Sequence, residues 1–136
     1  MDFYNHTRKL FANGEVDLTA LKVMLLSGHS FDATHTTMTN ISPDEVSGNG
    51  WAAGGPTIAS AAITVTGTNE STLDGGDIAV SPDGGDIGPA TAFVLYDSAN
   101  STPLFHHSHA STVASGENDY TINWNASGIA RWQAPA

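Results

Sequence analysis

Apolar and polar residues alternate along much of this chain, the period of two that marks a strand with one buried face. In "TIASAAITVTGT" Ala59, Ala61, Ile63 and Val65 fall on one side, with Ser60, Thr64 and Thr66 opposite. In "YTINWN" Tyr120, Ile122 and Trp124 point one way and Thr121, Asn123 and Asn125 the other. Two runs break the alternation by being apolar on both faces, "LKVMLL" (21–26) and "TAFVLYD" (91–97). Such runs belong to strands buried on both sides, and the second is expected to be central. "DIAV", "PLFHHSHAS" and "GIARW" add further short strands.

Between the strands the chain reads as turns. "EVSGNGWAAGG" (45–55) packs glycines around Trp51, where the backbone must bend or bulge. "SGHSFDATHTTMTNISPDE" carries few strand signals and is expected to be a long surface loop over 28–45. Residues 1–13 read as an N-terminal arm or helix: Phe3, Leu10 and Phe11 share a helical face, and "NG" supplies a left-handed stop. The small alanines of 59–62 predict close approach by another sheet or subunit. Seven or eight short strands separated by turn signals describe an all-β fold. The expectation is an antiparallel β-sandwich or jelly roll with a short N-terminal helix, one domain over residues 1–136.

Composition narrows the function more than the fold. Only Arg8, Lys9, Lys22 and Arg131 are basic, and the net charge is −10. Like charges repel, so a nucleic-acid backbone is not an expected partner. With no cysteine, disulfides and thiolate chemistry are excluded. "MDFYNHTRKLF" lacks the apolar run of a secretory leader, which predicts synthesis in a cytoplasm, and no segment reaches the ~18 apolar residues of a membrane helix.

The pentapeptide DGGDI occurs twice, in "DGGDIAVSPDGGDIG" (74–88). Asp74, Asp77, Asp83 and Asp86 are oxygen donors of the kind calcium takes, and leave room for a weak cation. The spacing nevertheless lacks the second glycine position of the calcium β-helix repeat, and two copies are too few to stack a coil. Two Asp-Gly turns bracketing one short strand are the preferred reading.

"FHHSH" places His107 and His109 on one strand face and His106 on the other. Two imidazoles are short of a zinc site, so a polar strand face is preferred, with an oligomer-axis cluster at His107 and His109 as the sharper alternative. No G-x-S-x-G elbow is present, and no enzyme activity or cofactor is expected. Trp51, Trp124 and Trp132 serve as core anchors or, less often, as sugar platforms.

Four pieces, "GEVDLTALKVMLL", "EVSGNGWAAGG", "TAFVLYDSANSTPL" and "YTINWNASGI", stand in an order that resembles a group of small structural proteins of tailed bacteriophages. The resemblance runs from about Phe11 to Ile129 and leaves the DGG doublet and "HHSH" outside its motifs. It implies a virion component without enzyme activity. The form it most favours is a capsid decoration or cement protein on the outer capsid surface, bound to the major capsid protein as a homo-oligomer, a trimer being favoured. A tail- or fibre-associated module that recognises a host glycan is the alternative, with Trp51, Trp132 and the loop aspartates as its site. As contact residues the N-terminal segment offers Phe3, Tyr4 and Phe11, taken as exposed aromatics, beside the bases Arg8 and Lys9.

Overall fold

The two runs that are apolar on both faces lie inside a sheet covered on both sides. A computed structural model describes residues 1–133; the last three residues of the expected domain lie outside the described residues. The strands are β1 (Asp2–Phe3), β2 (Leu21–Leu26), β3 (Glu45–Val46), β4 (Ala62–Gly67), β5 (Glu70–Asp74), β6 (Ile78–Val80), β7 (Ala90–Asp97), β8 (Thr102–Val113), β9 (Tyr120–Ile122) and β10 (Ala130–Gln133). They form a five-stranded sheet of order β1-β8-β7-β2-β3, a three-stranded sheet β10-β5-β4 and a pair β6-β9. All the pairings are antiparallel among the described residues, an all-β, sandwich-like fold.

Alternation sorts the side chains of the large sheet. Leu21, Val23, Leu25, Phe93 and Leu95 face inward onto Leu73, Ile78, Tyr120, Ile122 and Ile129 of the smaller sheets and the loops beside them. Met24, Leu26, Ala92, Val94 and Tyr96 face the other way, onto Tyr4, Met38, Ile41 and Phe31. The second group corrects the reading of 28–45 as a plain surface loop. This segment contains two 3-10 turns, Met38–Asn40 and Ser42–Asp44, and it buries Met38 and Ile41. The physical reason is the outer face of β2 and β7, which would otherwise leave a broad apolar patch in water. Each large side chain so covered is worth about 1.5–3 kcal/mol of transfer free energy.

The expected short N-terminal helix is present but does not fill residues 1–13. Only Thr7–Ala12, α1, is helical, while Asp2–Phe3 pairs with His106 and Phe105 on β8. Thr7 donates its hydroxyl hydrogen to the Leu104 carbonyl at 2.6 Å, which ties the helix start to the sheet. The "NG" stop holds, with Gly14 at φ +69°. In β4 the expected buried face is not formed within the chain: its six residues are all exposed, and it is an edge strand with no second sheet against it among the described residues.

Candidate functional site

The large sheet and the β9–β10 connection enclose an open concavity of about 500 Å³. Its walls are Phe93, His107, His109, Ile122, Trp124 and Ile129, with Asn123 and Asn125 at its edge. Strand alternation puts His107 and His109 on the Phe93 side of β8, with ring centroids 5.2 and 5.9 Å from Phe93. The two imidazoles meet edge to face at 5.6 Å. Burial, with His107 as a second contribution, holds the His109 imidazole below its ordinary value, so it is neutral at neutral pH. Among the described residues no carboxylate lines this concavity. Imidazoles, amides and aromatic faces can hydrogen-bond and stack a neutral polar molecule.

The first DGG segment positions the indole in this wall. Asp77 Oδ1 accepts a hydrogen bond from the Trp124 backbone N–H at 2.8 Å, and the indole N–H donates to the Gly76 carbonyl at 2.9 Å. The second copy works elsewhere. Asp83 donates its N–H to the Asn49 carbonyl at 2.7 Å, and the Asn49 side-chain amide donates to the Asp86 carbonyl at 2.8 Å, locking the glycine-rich loop before Trp51. The two DGG segments bracket β6, the first as a link from β5 and the second as a bend at Gly84–Gly85 rather than as two matched turns, and their identical sequences do different jobs. They do not bring Asp74, Asp77, Asp83 and Asp86 together. No group of three or more His, Asp or Glu side chains is placed to hold a metal ion among the described residues.

The expected N-terminal anchors are largely consumed by the fold itself. Tyr4 is only 1 % exposed and packs edge-on against Phe31. Phe3 meets Phe105 at 4.9 Å, and Phe11 lies 4.9 Å from Trp132. The premise that these aromatics are exposed is therefore corrected: β1 and α1 fold back on β8 and spend their apolar surface there. Arg8 and Lys9 stay exposed, Arg8 with its guanidinium 5.3 Å from the Phe3 ring centre. Of the tryptophans offered as sugar platforms, Trp51 is buried in the core and Trp132 is half-buried beneath Phe11. The third of them, Trp124, lines the concavity.

Sequence reading missed three further groups. His29, from the 28–45 segment, meets His106 on the outer sheet face and His35 on its other side, a placement no local spacing encodes. Asp97 at the end of β7 is fully buried and accepts four hydrogen bonds. No helix is long and apolar enough to cross a membrane among the described residues. No protein-family model, no curated protein and no solved structure matches this chain.

Proposed function

We propose that this chain is a non-enzymatic structural protein of a tailed-bacteriophage virion. In this reading it is a decoration protein that binds the outside of the major capsid lattice as a homo-oligomer, a trimer being favoured. The order of the four sequence motifs supports the reading, and one structural observation carries it. β4 is an uncharged edge strand with Val65 82 % exposed and Ile63 39 % exposed. Soluble monomers blunt such edges with charge, proline or a covering loop. A chain that spends its working life in a lattice instead gains from an edge that offers both backbone hydrogen bonds and apolar surface to a neighbour. Modest contacts suffice there, because an oligomer engages several capsid subunits at once.

Two measurements test the proposal. Particles assembled without this protein are expected to form normally but to release DNA at lower temperature or on chelation. Replacing Ile63 and Val65 together by lysine, which leaves the core untouched, is expected to strip the protein from particles while its own melting temperature stays within a few degrees. Unchanged particle stability, or a position on the tail in images of the virion, would count against the capsid reading.

The concavity favours a second reading, a tail- or fibre-associated module that recognises a host surface glycan. Trp124 and Phe93 would stack on a pyranose ring while His107, Asn123 and Asn125 meet its hydroxyls. Under this reading Trp124→Ala weakens binding on a glycan array by about tenfold or more, equivalent to about 1.4 kcal/mol. Equal binding by the parent and the variant removes the site from consideration.

A further inference from the structure

Beneath residues 28–45 lies a row of three imidazoles that neither reading of the function uses. His29 stands in the middle, its ring centroid 6.2 Å from that of His35 and 5.9 Å from that of His106. Phe31 stacks on His106 at 5.0 Å, and Tyr4 closes edge-on over Phe31. The side chains of His106 and His29 are 0 % and 4 % exposed. His29 Nε2, His35 Nδ1 and both ring nitrogens of His106 are buried without a hydrogen-bond partner among the described residues, as is the Tyr4 hydroxyl. Buried polar atoms left unpaired are destabilising, and a buried charge is more so. So many in one place mark a part of the fold held closed against its own polar groups.

The charges around the row are unevenly shared. Asp44 Oδ2 lies 2.8 Å from His29 Nδ1, and Asp32 Oδ2 lies 3.8 Å from His35 Nε2. His106 faces only Asp2 of β1, whose carboxylate is 3.9 Å away, beyond hydrogen-bond length, and more than half exposed to water. On its other sides His106 meets His29 of the covering segment and His107 of its own strand. A positive charge on His106 therefore has no buried counter-ion. No three of these groups are placed to share a metal ion among the described residues, and the small ligand open to the uncompensated His106 is the proton.

We infer that residues 28–45 are an acid-released cover: proton uptake at His106, which lies beneath His29 and Phe31 without a buried counter-ion, drives this segment off the outer face of the large sheet. The segment is anchored at its two ends, where Gly28 donates its N–H to the Thr91 hydroxyl, Ser27 donates its N–H to the Asp44 carbonyl, and Glu45 of β3 pairs with Leu26. Between those ends Asn5 donates its N–H to the Ala33 carbonyl and Met38 donates to the Ser101 carbonyl, both at 2.9 Å, while Phe31, Met38 and Ile41 supply the apolar contact. Burial first, and His29 second, hold the His106 imidazole below its ordinary value of 6.5. The closed form thus refuses a proton that the open form accepts. Closure is fully favoured above about pH 6.5 and is lost progressively as the pH falls below it. Opening uncovers Tyr4, Met24, Leu26 and Val94, an apolar surface absent at neutral pH. The inference does not depend on the capsid reading.

Amide hydrogen exchange on the intact chain, corrected for intrinsic rates, tests it between about pH 7.5 and about pH 5. Protection of the 28–45 amides is expected to fall by about tenfold per pH unit for one proton taken up on opening, while β2 and β7 stay protected. His106→Phe, which keeps a ring against Phe31 and removes the titration, is expected to flatten that dependence. Equal protection at both pH values overturns the inference, as does an unchanged dependence in His106→Phe. Should that variant fail to fold, the imidazole resonances of the parent protein decide. A His106 titration in step with loop exchange supports the switch, and a titration that leaves the loop protected overturns it. Zinc added at neutral pH that protects the segment in the parent but not in His106→Phe would also overturn it, making the ligand a metal.

Discussion

Asp97→Ala is expected to lower stability by about 3–4 kcal/mol, read as a drop in the urea midpoint with an unchanged slope. The carboxylate is fully buried at the end of β7. Its Oδ1 accepts the N–H groups of Ala99 at 2.9 Å and Asn100 at 3.3 Å, which closes the turn into β8. Its Oδ2 accepts the Asn100 side-chain amide at 2.7 Å and the Asp17 N–H at 2.9 Å. The last bond joins the β7–β8 turn to the chain entering β2, 80 residues earlier. Hydrogen bonds to a charged acceptor are worth about 1.5–3 kcal/mol each, and alanine leaves several donors without a partner at once. The sum is held to 3–4 because Asp17 and Asn100 lie at the surface and water replaces part of what they lose. Asp97→Asn keeps an oxygen acceptor and should recover part of the loss. A midpoint for Asp97→Ala equal to the parent's would show that these donors hydrate without cost.

Gly55→Ala is expected to be at least as damaging, about 4 kcal/mol or more, and to leave little folded protein. Gly55 adopts φ +80°, where an L side chain is strained. A methyl group there would also land on the Val23 carbonyl, which is backbone and cannot swing aside. The strain falls on a seam that carries much of the fold. Immediately after Gly55 the chain runs beside β2, with Val23 donating its N–H to the Pro56 carbonyl at 3.1 Å and Ile58 donating to the Leu21 carbonyl at 2.8 Å. On the other side Tyr96 donates its hydroxyl hydrogen to the Gly54 carbonyl at 2.6 Å, and Glu45 accepts the Gly54 N–H. "EVSGNGWAAGG" is thus the knot that seats a buried Trp51 and flanks β2. Near-ultraviolet circular dichroism and the yield of soluble protein check the outcome. A variant with the parent's spectrum and midpoint would mean that β2 can move away from residue 55 at no cost.

How far the chain could be read before folding is clearest in its strands. Both doubly apolar runs became inner strands, and β7 stands third of the five in the large sheet. Tyr120 and Ile122 point into the core, and His107 and His109 share a face opposite His106. These readings held because strand period is local: each residue's side is settled by its neighbours in sequence. The same logic could have gone further. Strands apolar on both faces need two covers, and 28–45, with Phe31, Met38 and Ile41, is the segment that follows β2. Its polar composition disguised this, since three apolar residues over eighteen give no period.

The sites were less legible, because they are made by contacts distant in sequence. The N-terminal aromatics look exposed when residues 1–13 are read alone, and only the return of β1 along β8 buries Tyr4 and supports Phe3. A repeated pentapeptide reads as one device, yet Asp77 meets Trp124 while Asp83 and Asp86 meet Asn49, partners 47 residues onward and 34 to 37 residues back. Local sequence therefore determined where the strands and turns lie, which face each side chain takes, and that cysteine chemistry is absent. Tertiary structure alone decided that β4 is left as an open edge, that Trp124 rather than Trp51 walls the concavity, and that three histidines meet under one segment. Period and turn chemistry act between neighbours, whereas an edge, a concavity and a buried cluster exist only once distant strands have chosen their partners.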